Sequence, residues 1–191
     1  MTDIFQRLQS ALPRVEVWID RLLEQNEVVA ARVNSLNFTR LPLYWPDDLL
    51  NRARVVITTP VPFPPVAQYG VSEFAPMMLN TAGITFRDMF FIDRSAQTSE
   101  GTHFHELVHV VQWNVLGSSD FLLTYAVGLM QCGYENSPLE RMAFDLQGKF
   151  ERGEPIPRIT DTIERHAFQA RSDAAEILRR YGASSSEGFS R

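Results

Sequence analysis

The segment at residues 102–117 constrains the fold most, because it combines the apolar periodicity of a helix with the pattern His-Glu-Leu-Val-His at 105–109. Thr102 and Gly117 are residue types that begin and end helices. Between them, apolar side chains recur at the spacing of a single helix face: Phe104, Leu107, Val108, Val111 and Val115. We therefore predict a helix over 102–117 whose apolar face is buried.

The two histidines of this segment are placed to share an ion. Residues four positions apart on a helix differ by only about 40° in direction, so the imidazoles of His105 and His109 project side by side. Glu106 lies about 100° round the helix from His105, where its carboxylate can reach a water molecule beside that ion. The pattern predicts a zinc site with Glu106 as general base. His103 would point elsewhere, and we interpret it as a cap-region or rim residue.

A catalytic zinc site also needs a third protein ligand. Gln112 and Val115 stand where metzincins have glycine and histidine, which excludes that class. Glu140 is the best-placed acid, and the alternatives are Asp120, Glu135 and Asp145. However, residues 137–140 also match a capping box, in which Ser137 and Glu140 satisfy each other's backbone donors. Periodicity alone does not separate these two interpretations of Glu140.

Residues 105–112, Leu116-Gly117 and residues 133–143 resemble a family of small bacterial zincin-like domains of largely uncharacterised function. These domains are related to the gluzincins, whose best-known member is thermolysin. The resemblance extends weakly to residues 82–86. In that family the glutamate after the turn containing asparagine and proline is the third zinc ligand, and this implies the role for Glu140. Thermolysin-type enzymes place an aspartate four residues later to orient the first histidine, whereas this chain has Phe144 there, with Asp145 next to it.

The resemblance implies an α+β fold, a mostly helical zincin-like (minimal metalloprotease) domain with a small sheet next to the motif helix. It also implies one Zn²⁺ ion and a peptide or protein substrate, hydrolysed by water that Glu106 activates. The side chains of a type suited to stabilising the transition state are Tyr134, Tyr125 and His166, each of which is also explained as a packing residue. The alternative function is a non-catalytic zincin fold that keeps a metal site for binding or regulation.

A structural zinc site with four protein ligands is a further alternative, for which Cys132 would be a poor fourth ligand. We interpret Cys132 as a small, partly buried hydrophobic residue. The net charge is −5 and no run of Lys or Arg occurs, which argues against a nucleic-acid partner. The longest apolar segment, at 121–130, is too short to span a bilayer. The lone cysteine and the polar N-terminal residues favour a cytoplasmic protein.

We predict a single domain over residues 1–182, followed by a flexible tail at 183–191. The domain would comprise N-terminal helices (1–40), a Pro-rich segment with a small sheet (41–100), metal-binding helices (102–150) and a C-terminal helix (160–182). Apolar spacing predicts that the N-terminal helix extends from Val15 to Val33. Strands are expected at 54–59, 83–86 and 89–92, and further helices after Asp120, from Ser137 and after Asp161. The sequence leaves the oligomeric state open.

Overall fold

A computed structural model describes residues 2–78 and 81–183 of the chain. Helix accounts for 67% of the structure, and the strands form a small mixed sheet, which confirms the predicted mostly helical α+β class. The helices are α1 (Thr2–Asn26), α2 (Asp47–Arg52), α3 (Glu100–Leu116), α4 (Ser118–Cys132), α5 (Pro138–Glu151) and α6 (Ile159–Ala183). The strands are β1 (Ala31–Arg32), β2 (Arg54–Thr58), β3 (Gly83–Phe86) and β4 (Met89–Asp93).

The sheet has the strand order β1-β2-β4-β3 among the described residues. Strand β2 runs parallel to β4, whereas β1 and β3 lie antiparallel to their neighbours. A two-residue turn at Arg87 and Asp88 joins β3 to β4, with Phe86 paired to Met89. Strand β3 therefore forms one edge of the sheet, and this is the edge that faces helix α3.

Helix α3 is the centre of the molecule. The sequence predicts one buried face, but 12 of its 17 residues are buried, including the polar residues of the motif. On one side Phe104 stacks on Phe150 of α5 at a ring distance of 4.5 Å. On another side Trp113 stacks on Phe121 of α4 at 4.1 Å. The motif helix is thus held by packing on several sides.

Three predictions about element boundaries are wrong. The predicted helix over 102–117 begins earlier, because Ser99 rather than Thr102 is its N-cap and accepts a hydrogen bond from the Thr102 backbone N–H. The region 1–40 contains one α-helix rather than several, and that helix runs through Pro13 because its apolar face continues on both sides of the proline. It ends at Asn26 rather than Val33, since Val28 and Val29 are exposed.

The remaining strand and helix predictions agree with the structure to within a few residues. The tail was predicted at 183–191: Ala183 is instead the last residue of α6, and residues 184–191 lie outside the described residues. Across the described ranges, no helix has both the length and the apolar character that a membrane crossing requires.

Candidate metal centre

His105, His109 and Glu140 form a buried group in which each residue can offer a ligand atom to one ion. The Nε2 atoms of the two histidines lie 3.1 Å apart. Glu140 Oε2 lies 3.3 Å from Nε2 of His105, and Glu140 Oε1 lies 3.4 Å from Nε2 of His109. Helix α3 supplies both imidazoles, and the first turn of α5 supplies the carboxylate.

The separation of the two imidazole nitrogens is that of two corners of a tetrahedral site, and the Glu140 carboxylate lies next to both. Ligand atoms about 2.0–2.1 Å from an ion at tetrahedral angles lie about 3.4 Å from one another. The 3.1 Å between the two Nε2 atoms falls within a few tenths of an ångström of that value, and each imidazole has a different oxygen of Glu140 within 3.4 Å. The donor set of two imidazole nitrogens and one carboxylate oxygen also suits a divalent metal ion of the zinc type. The residues present therefore fit a metal ion.

The hydrogen bonds behind the histidines direct both Nε2 lone pairs into the site. Gln112 donates through Nε2 to the Leu139 carbonyl at 3.1 Å, which fixes the orientation of its amide. Its Oε1 then lies 2.8 Å from His109 Nδ1 and can only accept a hydrogen there. Nδ1 of His109 must therefore carry the hydrogen, leaving Nε2 as a free ligand atom.

His105 is oriented in the same way by Gln147. The Gln147 amide donates to Glu151 Oε1 at 2.7 Å, and its Oε1 lies 3.0 Å from His105 Nδ1. Thermolysin-type enzymes use an aspartate for this contact, whereas here the partner of His105 Nδ1 is an amide oxygen from the next turn of α5. Phe144, at the expected aspartate position, packs against the His105 ring at 4.6 Å instead.

The electrostatics of the site favour a positive charge between these groups. Burial raises the pKa of Glu140, but the two imidazoles outweigh that effect and hold it well below its usual range. Burial lowers the pKa of His109, but Glu140, Glu106 and Gln112 together raise it to about 9. In the absence of a metal, a proton on His109 offsets the charge of the buried carboxylate, and a cation held by the same atoms would do so instead.

Glu106 lies beside this group and is held by strand β3. The Thr85 hydroxyl donates to Glu106 Oε2 at 2.7 Å. Gly83, two residues earlier on the same strand face, leaves room for the carboxylate: a Cβ atom there would lie 2.5 Å from Glu106 Oε1. Burial raises the pKa of Glu106, although His105, His109 and Thr85 oppose that shift. The carboxylate is therefore fixed in place and poised to accept a proton.

A small pocket, with a cavity volume of about 80 Å³, opens onto Glu106, His109 and Glu140. Its other walls are mostly apolar and come from β3, α3 and α4; they include Ile84, Trp113, Phe121 and Leu122. Two tyrosines, Tyr125 and Tyr134, also line it. The pocket therefore connects Glu106 and the candidate ligands His109 and Glu140 to the same apolar-walled space.

The two tyrosines relate differently to Glu140. Tyr125 donates its hydroxyl hydrogen to Glu140 Oε1 at 2.5 Å, so this hydrogen is already used. Burial, with the negative charges of Glu140 and Glu106, raises the pKa of Tyr134, which also interacts with Thr81. Tyr134 thus stays protonated, and its hydroxyl also interacts with the Glu140 side chain at the edge of the pocket.

The structure does not bring His103 or His166 into the site. His103 is fully buried rather than at a rim, with Nδ1 2.8 Å from the Ser99 carbonyl and its ring between Phe38 and Phe90. Burial lowers the pKa of His103. His166 is half-buried on α6, where burial lowers its pKa as well. Neither residue lines the pocket beside the metal centre.

The rival ligands also lie elsewhere. Asp120 pairs with Arg171 at 2.9 Å, and Glu135 and Asp145 are exposed. Cys132 is exposed rather than partly buried, and it does not belong to the ligand group.

The capping-box interpretation of Glu140 is wrong. Ser137 is the N-cap of α5, but its side chain makes no capping hydrogen bond and its buried Oγ has no partner in the structure. The Glu140 side chain turns towards the two histidines and Tyr125 instead.

Sequence reasoning missed three residues of the site, namely Thr85, Gln112 and Gln147. Signals for all three exist in the sequence. Gln112 lies one turn beyond His109, Gln147 lies two turns beyond Glu140, and Thr85 alternates with Gly83 on one face of a predicted strand.

Comparison of the chain with known protein families, with curated proteins and with solved structures found no match in any of the three. The functional interpretation therefore depends on the site itself, which is a buried His-His-Glu group that could hold a metal ion.

Proposed function

We propose that this protein is a zinc-dependent hydrolase of peptide or amide bonds, related to the gluzincins. The observation that supports this most is the buried group of two imidazoles and one carboxylate, with a fourth residue, Glu106, held beside it by Thr85. A purely structural metal site would use four protein ligands and would need no pocket. Here three ligands adjoin a pocket, as a site for substrate requires.

A zinc ion in this site would polarise the scissile carbonyl and make water a stronger acid. Glu106 is positioned to take the proton from the attacking water, and its raised pKa makes it a better base than an exposed glutamate. The same carboxyl group can then pass the proton to the departing amine nitrogen. Tyr134 can donate a hydrogen bond to the carbonyl oxygen as negative charge builds on it. The apolar walls of the pocket exclude water from competing for these groups.

The metal part of the proposal is tested with Glu140→Ala, with Glu135→Ala as a matched control on an exposed glutamate nearby. Purified protein is incubated with zinc, dialysed, and its metal content measured. We expect about one zinc ion per chain in the wild type and the control, and a large loss in Glu140→Ala, because a three-ligand site loses a third of its donors. Equal zinc content in Glu140→Ala and the control would overturn the ligand assignment.

The hydrolytic part is tested with Glu106→Gln and the wild type, both loaded with zinc. Fluorescein-labelled casein and a library of internally quenched peptides serve as substrates. We expect cleavage by the wild type and a loss of at least about 10²-fold in Glu106→Gln, with zinc content unchanged, since general base catalysis contributes about 10²–10⁴-fold. Unchanged cleavage by Glu106→Gln would overturn the role of Glu106. No cleavage by a fully zinc-loaded wild type would overturn peptide hydrolysis and favour a binding or regulatory role.

A further inference from the structure

The hydrogen-bond contacts of Glu140 differ between its two oxygens. Oε1 accepts the Tyr125 hydroxyl at 2.5 Å and lies 3.4 Å from His109 Nε2, whereas Oε2 lies 3.3 Å from His105 Nε2. The glutamines behind His105 and His109 place the imidazole hydrogens on Nδ1, away from Glu140. Once both Nε2 atoms bind an ion, neither imidazole donates to Glu140. The hydrogen bond from Tyr125 to Oε1 then remains as a strong, directional contact of the Glu140 carboxylate.

We propose that Tyr125 is a positioning residue that makes Glu140 bind the metal through Oε2 alone. This rests on the proposed metal site but not on hydrolysis. A carboxylate oxygen that accepts a short hydrogen bond donates its electrons less strongly to a metal. The oxygen that lacks the Tyr125 hydrogen bond, Oε2, is therefore preferred as the ligand. A carboxylate that bound through both oxygens would fill the fourth position of a tetrahedral ion or raise its coordination to five. The tyrosine would therefore keep one position open towards the pocket.

The packing of α4 on α5 explains how Tyr125 reaches this position. Gly128, one helical turn after Tyr125, lies against the start of α5: a Cβ atom there would lie 2.9 Å from Pro138 Cδ and 3.3 Å from Ser137 Cβ. The missing side chain allows α4 to cross α5 closely, within the turn that contains Glu140. Residues three positions apart share a helix face, so the same close approach sets the contact between Tyr125 and Glu140.

The experiment compares Tyr125→Phe with the wild type after substitution with Co²⁺, whose visible absorption bands weaken as coordination rises from four to five. Tyr44→Phe is the matched control, because it also removes one tyrosine hydroxyl but lies outside the pocket. The Tyr44 ring packs against Phe104 and Phe150. We expect weaker and shifted bands in Tyr125→Phe, and a spectrum like that of the wild type in Tyr44→Phe. Affinity for zinc in Tyr125→Phe should also change, by about 10–100-fold.

A second variant covers the case in which Tyr125→Phe does not fold. Gly128→Ala keeps the hydroxyl but pushes α4 away from Pro138, and should change the cobalt spectrum in the same direction. Spectra of Tyr125→Phe or Gly128→Ala that are identical to the wild type would overturn the positioning role. Failure of the wild type to take up Co²⁺ would instead overturn the metal centre. Absence of peptide cleavage, with the spectral change present, would overturn hydrolysis and support the role of Tyr125.

Discussion

Replacement of Gln112 by methionine would test how the fold controls the metal ligands. Gln112 is fully buried and makes two hydrogen bonds, to His109 Nδ1 at 2.8 Å and to the Leu139 carbonyl at 3.1 Å. Methionine is unbranched and of similar length, so it removes both hydrogen bonds with little change in packing. The buried Nδ1–H of His109 and the buried carbonyl of Leu139 would then each lack a hydrogen-bond partner.

The structure gives the magnitude of two separate effects. Each unsatisfied buried group costs about 1–3 kcal/mol, so the free energy of unfolding of the metal-free protein should fall by roughly 2–6 kcal/mol. Loss of the partner behind a histidine ligand typically lowers metal affinity about 10–100-fold, which corresponds to about 1.4–2.8 kcal/mol. Urea denaturation of the metal-free protein measures the first effect, and zinc competition with a chelator measures the second.

Two further variants complete the experiment: one is a control, and the other separates the two hydrogen bonds of Gln112. Gln97→Met is the control, because Gln97 is exposed and its side chain has no contact with the metal centre. Gln112→Glu keeps an oxygen that accepts from His109 but has no hydrogen for the Leu139 carbonyl. We expect Gln112→Glu to retain zinc affinity while losing stability. Equal zinc affinity in Gln112→Met and Gln97→Met would refute the inference that Gln112 fixes the His109 tautomer.

Two more predictions concern Gly83 and the serine caps. Gly83→Ala should lower peptide cleavage about 10²-fold with zinc content unchanged, because its Cβ would displace Glu106 by roughly 1 Å; rates equal to those of the wild type would contradict the tight fit. Ser99→Ala should lower the unfolding free energy by about 1 kcal/mol, because the Ser99 hydroxyl caps α3. Ser137→Ala should cause no such loss and should not lower the unfolding free energy, because its buried hydroxyl caps nothing and has no hydrogen-bond partner among the described residues. Urea denaturation compares the two serine variants, and equal losses would contradict the distinction between them.

The local parts of the site could be predicted from the sequence. His105, Glu106 and His109 lie on a single helix, and helical periodicity alone sets their relative directions. Glu140 lies on another helix, and its choice over a capping role depended on the resemblance to zincin-like domains. The spacing of apolar residues does not indicate whether the Glu140 carboxylate turns towards its own helix terminus or towards a neighbouring helix. That outcome is decided by the packing of α3 against α5.

His103 shows how a local pattern can mislead. Its position two residues before His105 predicts a side chain that points away from the metal ligands, in the cap region or at a rim. It lies one turn before Leu107, however, and so shares the direction of a fully buried residue. The end of α1 was misplaced for a similar reason. Val29 and Val33 continue the helical spacing, but the chain turns after Asn26 and forms the short strand β1.

Helix α3 is buried on nearly every side, so metal binding at the candidate centre would be coupled to the stability of the whole fold. A ligand that binds only the folded chain stabilises it by RT ln(1 + [L]/Kd), and here that stabilisation would act on the element that α4, α5, α6 and the sheet pack against. Metal depletion would then raise the fraction of unfolded chain available to proteases, rather than merely empty a surface site. The cellular abundance of this protein would thereby follow the supply of its metal.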